Sequence, residues 1–441
     1  MKAYKLDSEP YLEVLRSVDP VRMNGKVTQV IGLTVESEGP DASVGDVCLI
    51  YPAKSGKPIK AEVVGFRNNK VLLMPLGELH AVGPGCDVVS TGKPLTVPVG
   101  SELLGKVLDG LGQPLDGSRI PVRMAHYSTH NVPSNPLFRP RVTEPLGIGV
   151  RAIDGLLTVG RGQRVGIFAG SGVGKSTLLG MVARNTSADV NVIALIGERG
   201  REVLEFIERD LGPEGLARSV VVVATSDQPA LIRIKGALIA TTIAEYFRDR
   251  GLDVMLMMDS VTRFAMAQRE VGLAIGEPPA TRGYTPSVFA MLPKLLERSG
   301  TGKTGSITAF YTVLVDGDDM NEPIADAVRG ILDGHIVLSR SLANKGHYPA
   351  IDILASVSRV MNDIVPAEQL EAANQFKRLL SIYRDSEDLI NIGAYQRGSN
   401  AEIDRAIEYY DRIRSYATQR TDEKVSFEES QQRLLSEFLG G

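Results

Sequence analysis

The chain has 441 residues, of which 43% are hydrophobic and 23% charged, with a net charge of −4 at neutral pH. These are ordinary values for a globular protein, and the length suggests about three domains. They exclude a disordered chain, a fibre and a disulfide-stapled mini-protein. Aromatic residues are 5% and tryptophan is absent, so neither a global positive field nor a set of base-stacking platforms points to nucleic acid. Cys48 and Cys86 are the two cysteines, lack metal-ligand spacing and read as reduced thiols. The opening MKAYKLDSEPY has no apolar h-region, and no window approaches ~18 apolar residues. A cytoplasmic chain without a membrane span is expected. Glycine, at 45 residues, clusters at what read as strand ends, where tight turns or a close-lying ligand call for it.

Residues 1–20 carry Tyr11, Leu12, Val14, Leu15 and Val18 before Pro20, which predicts a short amphipathic helix. From 21 to 93 the signals are short strands. Ile31, Leu33 and Val35 alternate with polar residues and Gly32, and EVVGF and KVLLM flank Asn68-Asn69 as a hairpin turn. A small β-barrel follows from this spacing. Such barrels can bind RNA, but Tyr51 and Phe66 are the aromatics here and no RNP-like run occurs. Residues 94–150, rich in glycine and proline, read as a connecting segment lying across a larger domain. His126 and His130 are four apart, yet the flanking prolines argue against a helix and for loop histidines.

Beyond residue 160 the texture changes to buried strand, glycine-rich turn and helix. VGIF, NVIALI, VVVVA, VMLMM and ITAFYTVL are near-continuous apolar runs, as in a parallel sheet covered on both faces. The expected fold class is α/β, with ligand chemistry at the carboxyl ends of the strands. After 366 the strands stop. Ile403, Ile407, Tyr410 and Ile413 recur at helical spacing, and Ser426 with Glu429 forms a capping box. The predicted division is a barrel over 1–93, a nucleotide core over 94–365 and a helical domain over 366–441.

VGIF runs into Ala169-Gly170-Ser171-Gly172-Val173-Gly174-Lys175-Ser176-Thr177 and then a helical stretch, which is a P-loop in its required context. Ala169 replaces the first glycine of the strict pattern. Backbone N–H groups of Gly170, Ser171, Gly172, Val173 and Gly174, with the helix start at Ser176 and Thr177, would cradle phosphate. Lys175 would reach the β- and γ-phosphates and Ser176 would ligate Mg²⁺. VMLMM ends at Asp259, expected next to the P-loop strand and suited to the Mg²⁺ shell; a helix cap is the alternative. NVIALI ends in Gly197-Glu198-Arg199-Gly200-Arg201-Glu202. Glu198 is the candidate for polarising the attacking water, with Arg199 orienting it or contacting phosphate. The alternative is a charged loop capping a helix, with Glu202 in its first turn.

With these residues in place the chain resembles the rotary ATP synthase α/β superfamily, and within it looks most like the flagellar protein-export ATPases. The resemblance spans about residues 21–435 and rests on GSGVGKST, LIGERGREV, MMDSVTRFA, GEPPATRGYTPSVFAMLPKLLERSG, DGDDMNEPIADAVRGILDGHIVLSR and GHYPAIDILASVSRVM. It implies a small N-terminal β-barrel, a RecA-like P-loop core and a helical C-terminal domain. It further implies ATP and Mg²⁺ as cofactors and a homohexamer with nucleotide at shared interfaces. Arg359 matches an arginine that enters the neighbour's site in trans. Glu198 matches the residue that separates catalytic from non-catalytic subunits, and Arg263 an arginine near the γ-phosphate. Tyr348 matches an aromatic residue packing on adenine; a buried structural tyrosine is the alternative. Asp318 and Asp319 are a family hallmark to which no physical role attaches.

The implied partners are flagellar export chaperones, regulator and stalk proteins, export-gate membrane proteins and the exported proteins, with no nucleic acid and peripheral contact at the inner face of the membrane. A virulence-type secretion ATPase is the nearest alternative, although NEPIAD and PPATRGYTPSVF look more like the flagellar branch. A nucleic-acid translocase and a non-catalytic ring subunit are further alternatives.

Overall fold

The computed structural model describes residues 24–53, 56–121, 123–133, 135–315, 317 and 319–439. The helix expected within 1–20, and Asp318, lie outside them. Contacts divide the chain after Leu95 into two units.

In the first unit, strands β1 (Gly25–Ile31), β2 (Thr34–Glu38), β3 (Asp46–Tyr51), β4 (Ile59–Arg67), β5 (Lys70–Pro75) and β6 (Asp87–Pro94) close a barrel in the order β1-β2-β5-β4-β3-β6. Asn68 and Asn69 take φ of 48° and 62° between the paired Arg67 and Lys70. This is the left-handed pair a two-residue hairpin needs to match strand twist, and asparagine tolerates it. The alternation through Ile31, Leu33 and Val35 is not one strand. Gly32 and Leu33 form the turn between β1 and β2, so Ile31 and Leu33 are exposed while Val35 is buried. Val27, Val35, Cys48, Ile50, Val63, Leu73 and Val88 fill the barrel, and Cys48 and Cys86 are free and buried.

The second unit begins with β7 (Thr96–Val99), β8 (Val107–Asp109) and β9 (Ala125–Ser128). Its sheet adds β10 (Arg164–Ala169), β11 (Val190–Ile196), β12 (Ser219–Ala224), β13 (Asp253–Asp259), β14 (Gly300–Thr301), β15 (Ser306–Leu314), β16 (Gly334–Leu338) and β17 (Ile351–Ser358). Among the described residues the order is β17-β16-β10-β15-β13-β11-β12-β8, with β14 paired to β15. From β16 to β8 the neighbours are parallel, and β17 is antiparallel at the edge. Every residue of β11 and β12 is buried, so both sheet faces are covered and the strands read as unbroken apolar runs.

The glycine- and proline-rich stretch is more than a connector. Within it β8 adds the outermost strand of the sheet, and β7 pairs with β9, which places His126 on a strand. The helices Ala367–Asn391, Ala401–Ala417 and Phe427–Phe438 end the chain. Their Phe376, Ile413, Tyr416, Leu434 and Phe438 join Ile153, Leu156, Val165 and Ile167 in one continuous hydrophobic cluster. Gly155 permits this approach, because a methyl group there would collide with the Tyr416 hydroxyl. The capping box forms as read: Glu429 N donates to Ser426 Oγ at 3.1 Å and Ser426 N to Glu429 Oε2 at 2.8 Å.

Candidate functional site

Strand β10 ends at Ala169, the loop Gly170–Gly174 turns, and a helix runs from Lys175 to Asn185. Buried Val173 pins the loop to the core, while Ser171, Gly172 and Ser176 face solvent. Gly174 has φ 91°, a conformation that only glycine adopts readily. The Lys175 ammonium lies 2.5 Å from Asp259 Oδ1 and 3.4 Å from Glu198 Oε1. Burial pulls the lysine pKa down, but the two carboxylates outweigh it and the net shift is upward.

Asp259 is not on the strand next to the P-loop strand. The order β10-β15-β13 puts β15 between them, and the long lysine side chain bridges the gap. The apolar texture of β13 and β15 is alike, so adjacency was not readable from either. Ser260, the next residue, caps the helix Val261–Ile275 by accepting from Arg263 N at 3.3 Å. The intervening strand contributes a residue that the motifs did not mark. Thr312 on β15 donates its hydroxyl proton to Asp259 Oδ1 at 2.7 Å. A threonine inside the run ITAFYTVL carries no local signal of that role.

Glu198 follows β11 through Gly197, whose φ is 73° and where a Cβ would stand 2.7 Å from Arg263 Cβ. Glycine is therefore needed for strand end and helix to meet. Burial, then the nearby Asp259 charge, pushes the Glu198 carboxyl up to about 7, with Lys175 opposing and a hydrogen bond to Glu202 assisting. Glu202 is held low against a partial loss of hydration, by that hydrogen bond and by the Arg199 backbone and charge. Two carboxylates beside a lysine, one kept protonated up to neutral pH, form a set that can pass a proton to or from water.

Arg199 does not orient Glu198 here: its side chain is 67% exposed and pairs with Glu202 at 3.4 Å. Arg263 packs its aliphatic stem on Gly197, and its Nε is buried with no hydrogen-bond partner among the described residues. A buried donor without an acceptor at this edge suits an anion. Asp319 pairs with Arg282 at 3.1 Å and accepts from Asn321 N at 3.0 Å, a tie within the loop.

Tyr348 is 46% exposed, which disposes of a buried structural role. Its ring edge lies 3.6 Å from the Cβ position of Gly174, so it stands over the P-loop. Its carbonyl accepts from Gln419 N at 3.0 Å. A cleft of about 750 Å³ opens beside it, lined by Arg151, Arg414, Thr418, Gln419 and Arg420.

Arg359 is exposed and lies elsewhere. Strand β17 runs antiparallel, so Ser358 pairs with Gly334, at the start of β16. Arg359 N donates to Asp333 O at 3.0 Å, and Asp333 in turn pairs with Arg164, the first residue of β10. The P-loop follows the last residue of β10, on the order of 16 Å further along the strand. An arginine side chain does not span that. The donors available to a divalent cation are the exposed Ser176 and the Asp259 carboxylate, a hard-oxygen set that fits Mg²⁺.

Comparisons with known proteins identify the family of the chain. Models of the ATP synthase alpha/beta family match residues 149–358 for the nucleotide-binding domain and 27–92 for the beta-barrel domain. The T3SS EscN ATPase C-terminal domain matches residues 365–436. The flagellum-specific ATP synthase of Bacillus subtilis (strain 168) is 61% identical over 432 residues, covering 98% of this chain and 99% of that one. The type 3 secretion system ATPase of Xanthomonas euvesicatoria is 54% identical and covers 94% of each chain. The assembled ATPase EscN of the enteropathogenic E. coli type III secretion system superposes with a TM-score of 0.88 at 47% identity, covering 94% of this chain and 100% of that chain. A second structure holds EscN in complex with its central stalk EscO and superposes with a TM-score of 0.86. The chain is an ATPase and belongs to the ATP synthase alpha/beta family, in the branch of the flagellum-specific ATP synthases and type 3 secretion system ATPases.

Proposed function

We propose that this ATPase drives flagellar protein export from a homohexameric ring whose sites are shared between neighbouring copies. The observation that carries this reading is the separation of Arg359 from the P-loop of its own chain. An arginine at the far sheet edge has no use at its own nucleotide and is available to the next one. In such a site Lys175 leaves the carboxylates for the β- and γ-phosphates, and the N–H groups of Gly170 to Gly174 and the start of the helix at Ser176 and Thr177 hold the remaining oxygens. Glu198 accepts the proton of the water attacking the γ-phosphorus, and ADP departs. Arg263 and the neighbour's Arg359 offset charge developing on the γ-phosphoryl group. Ser176 and Asp259 would hold Mg²⁺, which neutralises phosphate charge when bound. Tyr348 packs on the adenine, for which the adjoining cleft has room.

The working division is a barrel over 1–93, a nucleotide core over 94–365 and a helical end over 366–441. The partners of this reading are export chaperones, a regulator, a stalk protein and the gate proteins at the membrane, with exported proteins as the cargo. No described helix is long and apolar enough to cross a membrane. A peripheral place at the inner face of the membrane is part of this reading. Specific activity should rise with protein concentration as shared sites assemble; a rate per chain independent of concentration in a monomeric preparation overturns the shared site. Capture of flagellar export chaperones from the source cell supports the flagellar branch, and recovery of injectisome components alone favours the other.

A further inference from the structure

Thr312 breaks the apolar run of β15 and is 0% exposed. Its register partner on β10 is Ile167, and its predecessor Tyr311 pairs with Met258 on β13. It therefore stands between the strand that feeds the P-loop and the strand that ends in Asp259. Its hydroxyl donates to Asp259 Oδ1 at 2.7 Å, with Met258 O a second acceptor at 3.3 Å. The oxygen it binds is the one that also takes the Lys175 ammonium at 2.5 Å.

A valine would fill the same volume, and a buried parallel strand favours it. A hydroxyl in this place needs an acceptor, because a buried polar group without one is costly. Elsewhere on the strand a buried hydroxyl oxygen has a backbone partner: Thr308 Oγ1 accepts from Gly162 N at 2.8 Å. At Thr312 the short bond goes to the carboxylate instead. When Lys175 turns to a nucleotide, Asp259 Oδ1 loses its cation and keeps the Thr312 hydroxyl.

We propose that Thr312 is a positioning residue for Asp259, holding Oδ1 so that the carboxylate keeps one orientation for the cation after Lys175 has left. This rests on reading Asp259 as the cation-holding carboxylate. Groups that orient a metal ligand in this way change metal affinity or activity by about 10–100-fold when removed.

The test uses the full chain with Thr312→Val, which keeps the shape, and Thr312→Ser, which keeps the hydroxyl. Binding of a fluorescent ADP analogue is titrated with Mg²⁺ and with EDTA, and kcat is measured alongside. In Thr312→Val the Mg²⁺-dependent gain in nucleotide affinity should shrink by about tenfold, kcat should fall by about 10–100-fold, and affinity in EDTA should stay unchanged. Thr312→Ser should restore the gain. A valine variant with the parent's Mg²⁺ dependence overturns the proposal. A serine variant as defective as valine overturns it too, since the hydroxyl is then not what matters. Asp259→Asn separates the two levels: if it retains the Mg²⁺ gain, the reading of Asp259 fails; if it loses the gain while Thr312→Val does not, the positioning role alone fails.

Discussion

The Lys175 ammonium reaches across the width of strand β15 to lie 2.5 Å from Asp259 Oδ1. In the ligand-free chain one lysine thus compensates two carboxylates, with side-chain exposures of 12% for Lys175, 4% for Asp259 and 17% for Glu198. Removing one partner of a buried pair costs about 3–5 kcal/mol, because the other charge is left behind. Lys175→Ala should therefore lower the melting temperature of the ligand-free chain as well as abolish nucleotide binding. Adding Glu198→Gln should recover part of that loss, and differential scanning calorimetry of both variants checks it.

Glu198 gives the site a pH dependence. Burial, reinforced by Asp259, holds its carboxyl protonated up to about 7, against the ordinary glutamate value of 4.5. A base must be ionised, so kcat/KM should decline as the pH drops through about 7. Glu198→Gln should cut turnover by about 10²–10⁴-fold while nucleotide still binds.

The same shift acts on folding. The folded chain holds the Glu198 proton more tightly than the unfolded chain does. Its stabilising contribution is therefore full below 4.5 and lost as the pH rises to about 7. Glu202, held low, runs the other way, and comparison with Glu198→Gln isolates Glu198. The melting temperature of the variant relative to the parent should increase from pH 4.5 to 7; a constant difference contradicts the shift.

Arg359→Ala should reduce hydrolysis by ~10³–10⁵-fold without unfolding the chain. Mixing it with Lys175→Ala is the sharper measurement. If each site takes Lys175 from one copy and Arg359 from the next, random rings of two inactive variants contain about a quarter complete interfaces. Activity should reappear in the mixture, and mixtures that stay inactive although rings form would show the sites not to be shared.

Tyr348→Ala should raise the KM for ATP by about 5–150-fold, as stacking on a base contributes about 1–3 kcal/mol. Tyr348→Phe should behave as the parent, because its hydroxyl is not needed for stacking. A KM unchanged in Tyr348→Ala would remove the adenine from this face of Gly174.

Features set by neighbouring residues were legible in the chain. The P-loop, the Asn68-Asn69 turn and the Ser426–Glu429 capping box each depend on backbone torsion, charge or side-chain reach within a few positions. The apolar runs likewise announced a covered parallel sheet. They did not announce its order, because crossovers of similar length can place a strand beside any neighbour. Hence Asp259 stands one strand further from the P-loop than expected, and Thr312 of the strand between joins the site. The alternation around Ile31 misled because a turn of two residues preserves a period of two. Packing alone decided that Tyr348 lies open over Gly174 and that the terminal helices share the core of the sheet. Arg359 sits at the far edge because β17 runs antiparallel, a direction that the residues SVSRVM do not encode. Local torsion and charge are written residue by residue, whereas adjacency and direction arise only when distant strands meet.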